Sequence, residues 1–161
     1  MEWENSATHY IPANINIRVI IMRFGLVLSK EGGLLSRLNT LVNIGIGKRF
    51  GNGNQYWPWI SLEDTVSAIC HAINTPVLKG PVNFVSSHQV TNKEFMQTLF
   101  KSKKRYGLAP IPKNLLKIFS TKLTSETLLG STRMYPEKLL SSNFKFRFDS
   151  LEKALQEYYQ A

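Results

Sequence analysis

The sequence predicts an α/β fold that holds part of a parallel sheet, followed by a helix-rich tail. Three observations carry this. In "INIRVIIMRFG", Ile17, Val19, Ile20, Ile21 and Met22 form a nearly continuous apolar run, the pattern of a strand covered on both faces. A second short apolar segment, "GPVNFVSS", lies downstream. Between them run segments with helical periodicity, and strands alternating with helices argue for parallel pairing.

Each element has its own reason. Residues 1–13 put Trp3, Ala7 and Tyr10 at helical spacing, and Pro12 ends or bends that helix. A strand over 17–23 follows and closes at Gly25. In "GGLLSRLNTLVNIGIG" Leu34, Leu35, Leu38, Leu41 and Val42 mark an amphipathic helix that dissolves around Gly45 and Gly47. "WPWIS" is extended, because Pro58 biases Trp57 away from helix. "SLEDTVSAICHAIN" is a helix capped by Ser61 with Asp64 at capping-box spacing. Its expected buried stripe is Val66, Ile69 and Ile73, with Cys70 a core thiol on the apolar side.

A second sheet strand is expected over 81–86. "TNKEFMQTLFKSKK" follows with a full capping box, Thr91 to Glu94, and a buried side of Phe95, Met96, Leu99 and Phe100. "GLAPIP" reads as a turn-rich crossover, and "KNLLKIF", "SETLLG" and "PEKLLSSN" as short helical pieces. "FKFRF" alternates apolar and basic residues like a short strand with one wet face. Asp149 is placed to cap a last helix with the stripe Leu151, Ala154, Leu155 and Tyr158. Only two sheet strands are legible, and two parallel strands with apolar faces need neighbours. The sequence reads like the second half of a larger sheet.

Composition excludes several classes. With 161 residues, 43 % hydrophobic and 19 % charged, the chain is long enough for a core and too weakly charged for disorder. No apolar run approaches the roughly 20 residues of a membrane span, and "MEWENSATHY" does not have the form of a secretory signal. The single cysteine, Cys70, fits a reducing, intracellular setting. The net charge of +9 is concentrated only at "KSKKR", residues 101–105. No nucleic-acid motif accompanies it, so a solvated face is favoured over a nucleic-acid groove.

Motifs that would carry chemistry fail on context. Gly45, Gly47 and Gly51 match G-x-G-x-x-x-G, with Asp64 about 20 residues further on. A dinucleotide loop must follow a strand and open a helix, whereas this one follows a helix and opens none. No serine sits in a nucleophile elbow, His9, His71 and His88 are isolated, and no spacing suits a metal. No catalytic or metal-binding residue is therefore expected. The cluster from Tyr56 to Trp59 admits two readings, the cover of a core edge or a ligand wall. Alternation puts Gln55, Trp57 and Trp59 on one face and Tyr56 and Ile60 on the other. With Ile60 as the core anchor, Gln55, Trp57 and Trp59 are expected to line a substrate cleft.

The ordered set "RVIIMRFGLVLS…GG…L", "GNGNQYWPWISLED", "GPVNFVSS", "VTNKEFMQTL", "YPEKLLSSNFKF" and "LEKAL" resembles the C-terminal half of one group. This is the sugar-nucleotide epimerase-like branch of the extended short-chain dehydrogenase/reductases, which carries a C-terminal domain of unknown function. The resemblance covers nearly the whole chain. It implies the last strands of a Rossmann-type sheet over residues 1–89, crossing into a substrate lobe, and a family-specific helical lobe over 90–161. It implies NADP or NAD as the cofactor of the full-length relative, a small-molecule substrate, and an N-terminal half as partner. It carries Phe24, Gly25, Leu26 and Val27 to the nicotinamide end of the cleft, and Gly25→Val is then expected to weaken binding while leaving the fold intact. The family's glycine-rich phosphate loop and its Tyr-x-x-x-Lys pair have no counterpart here, since Tyr10 is followed by Asn14 where lysine would stand. The tyrosine is the proton partner of hydride transfer, so the expectation is a truncated form, inactive alone, that binds no cofactor tightly. The rivals are a non-catalytic binding module and a basic nucleic-acid binder.

Overall fold

The computed structural model describes Glu4, residues 17–107, 109–111 and 130–160. The expected N-terminal helix and the pieces "KNLLKIF" and "SETLLG" lie outside the described residues, apart from the helical Glu4 and the terminal Gly130. In chain order the elements are β1 (Ile20–Phe24), β2 (Leu26–Leu28), α1 (Gly33–Asn43), β3 (Ile46–Phe50), β4 (Tyr56–Trp57), β5 (Trp59–Ser61) and α2 (Leu62–Asn74). Then come β6 (Gly80–Phe84), β7 (Val90–Thr91), α3 (Asn92–Ser102), β8 (Ala109–Ile111), α4 (Glu137–Ser141) and α5 (Leu151–Gln160). The fold is α/β with short parallel pairings, as the sequence predicts.

The strands pair two by two. β1 lies parallel to β6, with Ile20 opposite Gly80 and Phe24 opposite Phe84. β2 lies parallel to β5, with Leu26 opposite Trp59. β3 is parallel to β8, and β4 is antiparallel to β7. β1 and β2 are one line of chain that changes partner at Gly25. The Gly25 amide still donates to Phe84 O at 3.2 Å, while the next amide, Leu26, donates to Pro58 O at 2.7 Å. A Cβ on Gly25 would stand 2.6 Å from the Pro58 carbonyl oxygen and 2.9 Å from Val85 Cγ1. Only glycine lets the backbones approach this closely.

Two hydrophobic clusters form the core. The first gathers Leu28, the buried side of α1, Phe50, Trp57, Trp59, Val90, the buried side of α3, Phe148 and the α5 stripe. The second joins Ala68 and Ala72 of α2 to Val82, Phe84, Leu139 and Phe144, with Ile20, Met22 and Ile69 packed against it. Each cluster draws side chains from both sides of residue 89.

Several expectations need correction. Four strands went unread: β2 and β7, "IGKRF", which is β3, and β8, its partner, which the supposed crossover "GLAPIP" supplies. "FKFRF" is not a strand and pairs with none among the described residues, although its alternation holds, since Phe144 and Phe148 are buried. Ser150, not Asp149, accepts the Lys153 amide, at 3.4 Å, while Asp149 pairs with the Lys153 ammonium at 2.6 Å. The stripe of α2 is rotated. Thr65, Ala68 and Ala72 are buried, whereas Val66 is 54 % and Ile73 62 % exposed, and Cys70 is exposed as well. Small residues face the sheet because the helix packs close to it. The large ones point away.

The caps of α2 and α3 behave as read. Ser61 Oγ accepts from the Asp64 amide at 2.9 Å, and Thr91 and Glu94 form the reciprocal capping box. At the other end of α2, the Arg18 guanidinium donates to the carbonyls of Ala72, Ile73, Thr75 and Leu78 at 2.7–3.2 Å. A cation there satisfies orphan carbonyls and complements the helix dipole. The Asp64 carboxylate, 2 % exposed, reaches across the molecule and accepts from the Arg147 amide at 2.6 Å and the Phe148 amide at 3.3 Å. It thereby fastens the tail to the start of α2.

Two outcomes are expected. Gly25→Ala should lower stability by ~1–3 kcal/mol, the ordinary cost of forcing atoms into a filled space, read as a fall in thermal midpoint. The close approach also reverses the expectation that Gly25→Val leaves the fold intact. Asp64→Ala should cost roughly 2–3 kcal/mol, because buried donors lose their acceptor. Urea unfolding would measure it, and Asp64→Asn should recover only part.

Candidate functional site

A cleft of about 660 Å³ lies where β1 ends. One wall is the unbroken run Met22, Arg23, Phe24, Gly25 and Leu26, and the other is Tyr56, Trp57 and Pro58, with Gly130, Thr132 and Met134 bordering it. A strand contributes consecutive residues to a cleft only where its edge is open. Among the described residues β1 pairs with β6 alone, so the cleft runs along a free edge at the carboxyl end of a parallel strand. In open α/β sheets that is where ligands bind.

The lining is mostly apolar, with Met22, Phe24, Leu26, Pro58 and Met134 around it. Phe24 is 45 % exposed and stacks on Phe84 with ring centroids 5.1 Å apart. The Arg23 guanidinium is held by Glu4, with Nε and Nη2 each 2.7 Å from a carboxylate oxygen. This bidentate bond holds the Glu4 carboxyl below its usual range and the Arg23 pKa above its own. Across the cleft Arg133 stacks over the Tyr56 ring at 5.0 Å and donates to Gln89 at 2.7 Å. Both nearby guanidinium groups are therefore engaged by the protein itself.

Of the residues expected near a cofactor, Phe24, Gly25 and Leu26 line the cleft. Val27 does not, being paired with Ile60 in the β2–β5 ladder. The aromatic alternation is right and its polarity is inverted. Trp57 and Trp59 share a face, but that face is the core, each ring being 1 % exposed. Trp57 packs against Phe50 and Phe95 at 5.5 and 5.3 Å and, although buried, also lines the cleft as expected. Trp59 donates its indole N–H to His88 O at 2.9 Å. Gln55, 7 % exposed, donates to Phe50 O at 3.1 Å and so holds the turn between β3 and β4. Ile60 is buried too, and beside Trp57 the cleft wall is made by Tyr56 and Pro58. Sequence reasoning missed both. The signal was the Phe50–Gln55 turn, which closes the first cluster and draws the tryptophans inward.

Elsewhere the chemistry is structural. The Tyr158 hydroxyl donates within 3.0 Å of Leu28 O and 2.6 Å of a Glu63 carboxylate oxygen. Burial first, then that carboxylate, push its pKa above the ordinary phenol value. The basic run is divided. Lys101 pairs with Glu152 at 2.7 Å, Lys103 lies over the Tyr159 ring at 5.0 Å, and Lys104 and Arg105 border a second cleft of about 480 Å³ with Lys48. Among the described residues no group of His, Cys, Asp and Glu could hold a metal, and no helix is long and apolar enough to cross a membrane.

The two readings of the aromatics separate by mutation. Trp57→Ala and Trp59→Ala should each cost ~3–5 kcal/mol, the usual loss for a buried ring. Tyr56→Ala should cost less than ~1 kcal/mol, because only a half-exposed ring and its stacking on Arg133 are lost. Thermal melts of the three variants would show the split.

Comparisons with known proteins agree with this geometry. Residues 111–158 match a domain of unknown function, DUF1731. An epimerase family protein of Mycobacterium bovis is 36 % identical over 156 residues, covering 96 % of this chain and 51 % of that protein. The human epimerase family protein SDR39U1 is 28 % identical over 156 residues, covering 97 % of this chain and 52 % of that protein. Its crystal structure with NADPH (isoform 2) superposes with a TM-score of 0.86 at 26 % identity, over 96 % of this chain and 52 % of that one. A nucleoside-diphosphate sugar epimerase from Corynebacterium glutamicum shares the fold, with a TM-score of 0.74 at 24 % identity, over 99 % of this chain and 30 % of that one. The chain thus spans about half the length of the relatives it matches most fully. Sequence and fold together match the chain to the C-terminal half of epimerase family proteins.

Proposed function

We propose that this chain supplies the substrate-lobe half of an NAD(P)-dependent epimerase or oxidoreductase, and that it acts only when joined to a half that holds the cofactor. One observation carries the reading. A cleft lies at the carboxyl end of β1, a strand that among the described residues pairs with β6 alone. In this reading residues 1–89 complete the Rossmann-type sheet and 90–161 form the family's own lobe.

Phe24, Gly25 and Leu26 form the wall against the nicotinamide end of NADP or NAD, with Val27 fixing Leu26 from behind through the β2–β5 ladder. A flat apolar wall suits an aromatic ring. The described residues lining the cleft include no helix N-terminus, so the pyrophosphate is held by the other half. The cofactor, when bound, accepts or delivers a hydride. This chain positions the small-molecule substrate between Phe24 and Tyr56 and keeps water from one side. Gln55, Trp57 and Trp59 hold the wall that carries Tyr56 and Pro58.

The test is a titration of NADPH and NADH followed by nucleotide fluorescence. The chain alone should bind more weakly than micromolar, that is, short of about −8 kcal/mol. A fusion of the first half of the Mycobacterium bovis relative to this chain should reach micromolar affinity. Micromolar binding by the chain alone, or none by the fusion, overturns the reading.

A further inference from the structure

The basic run after α3 borders two clefts, and they meet at one residue. The first, about 480 Å³, has Lys48 of β3, Lys104, Arg105 and Tyr106 in its wall. The second, about 490 Å³, has Lys103, Lys104 and Tyr159. Neither shares a lining residue with the cleft between Phe24 and Tyr56. Among the described residues no acid lines either one. Glu152 answers Lys101 at 2.7 Å, whereas Lys48, Lys104 and Arg105 have no ion pair among the described residues.

Cations at a helix C-terminus complement its dipole, and that accounts for Lys101 and Lys103. It leaves three features over. Lys48 comes from a different element. Lys104 stands at φ 52°. Its amide donates to Lys101 O at 3.0 Å and the Arg105 amide to Phe100 O at 2.9 Å, the pair of bonds that ends a helix through a left-handed residue. Glycine is the usual residue there, and a side chain is strained. Finally, a Cβ on Gly107 would stand 3.1 Å from both Lys48 Cβ and Phe100 Cε2. The backbone after Tyr106 therefore runs hard against the root of Lys48, and Arg105 and Lys48 border one cleft. Burial first, then Arg105, hold Lys103 below the usual lysine range. Like charges are crowded here, and a bound anion relieves that crowding.

Tyr106 indicates which kind of anion. Its ring is 88 % exposed and has no stacking or hydrogen-bond partner among the described residues. An open ring beside unpaired cations suits single-stranded nucleic acid, whose bases stack on the ring while its phosphates follow the charges. A duplex hides its base faces, and an acidic peptide or a sulfated sugar offers no base. Two clefts joined at Lys104 carry the track beyond a single phosphate. We propose that they form a groove for single-stranded nucleic acid, with Lys48, Lys104 and Arg105 on the phosphates and Tyr106 under a base. The net charge of +9 steers such a strand towards the chain. Binding there is independent of the cofactor and of a second half.

The test is fluorescence anisotropy of a labelled oligothymidylate of about 12 nucleotides, titrated with this chain. At about 50 mM salt the dissociation constant should be about 10 µM or lower, and log K should fall against log salt with a slope of about −2, three phosphates at roughly −0.7 each. Lys48→Gln combined with Arg105→Gln should weaken binding about tenfold or more and flatten the slope towards about −0.7. Lys104→Gly removes the cation and the strain together, so affinity should fall while the thermal midpoint holds or rises. Tyr106→Ala should weaken binding about fivefold or more with the slope unchanged. Lys79→Gln, an exposed cation outside both clefts, should stay within about twofold. No binding at about 100 µM chain overturns the proposal. An equal loss from Lys79→Gln does so too, because net charge alone is then the cause. Binding that ignores Tyr106→Ala assigns the groove to a polyanion without bases and overturns it, as does tighter binding to the matching duplex or to vesicles rich in anionic lipid.

Discussion

The molecule depends on one close approach, that of the Pro58 carbonyl to Gly25. Pro58 O accepts the Leu26 amide at 2.7 Å, and the space above Gly25 is filled by the same carbonyl group. At this point the chain leaves β6 and takes β5 as its partner. If the two backbones stood apart, β1 and β2 would run on as a single strand beside one neighbour. The fork makes room for a cleft between Phe24 and Tyr56. It also places β5, and therefore Ser61 and α2, beneath the tail. Asp64 then needs only its ordinary first-turn position to reach the Arg147 and Phe148 amides. One glycine thus sets the mouth of the cleft, the start of α2 and the seat of the tail together.

Two cores divide the work. The first cluster is rich in aromatic rings and holds the wall that carries Tyr56 and Pro58. The second is built around two alanines and sits under the β1–β6 pair. The first is closed on the described residues by α1, α3 and α5. Around the second, Leu62, Val66 and Ile73 of α2 are exposed among the described residues.

Legibility in the sequence followed how local the physics was. The stripes of α1, α3 and α5 and the cap of α3 were readable because the leucine spacing, Thr91 and Glu94 act within one helix. The parallel pairing of β1 and β6 was readable because an unbroken β-branched run has few other uses. β3 and β8 were hidden, since "IGKRF" and "GLAPIP" are strands only in each other's company. The stripe of α2 was misplaced because periodicity finds an apolar face without saying what lies against it. Ala68 and Ala72 face the sheet because there is little room, whereas Val66 and Ile73 are larger and point outward. The tryptophans show the same limit. Alternation correctly placed Trp57 with Trp59, and only the turn held by Gln55 decides that their shared face points inward.

The bond from Tyr158 to Leu28 O spans 130 residues. It joins the last helix to the first third of the described chain, and the stripe of α5 fills the same cluster as Leu28 and Trp59. During synthesis that cluster stays open until the final turns have left the ribosome, because loop closure over such a span comes late. The second cluster needs nothing beyond Phe146 and can assemble sooner. A nascent chain therefore exposes its aromatic half longest, and a ribosome that stops a few codons early leaves Trp59 and Phe148 uncovered for a protease or a chaperone to find.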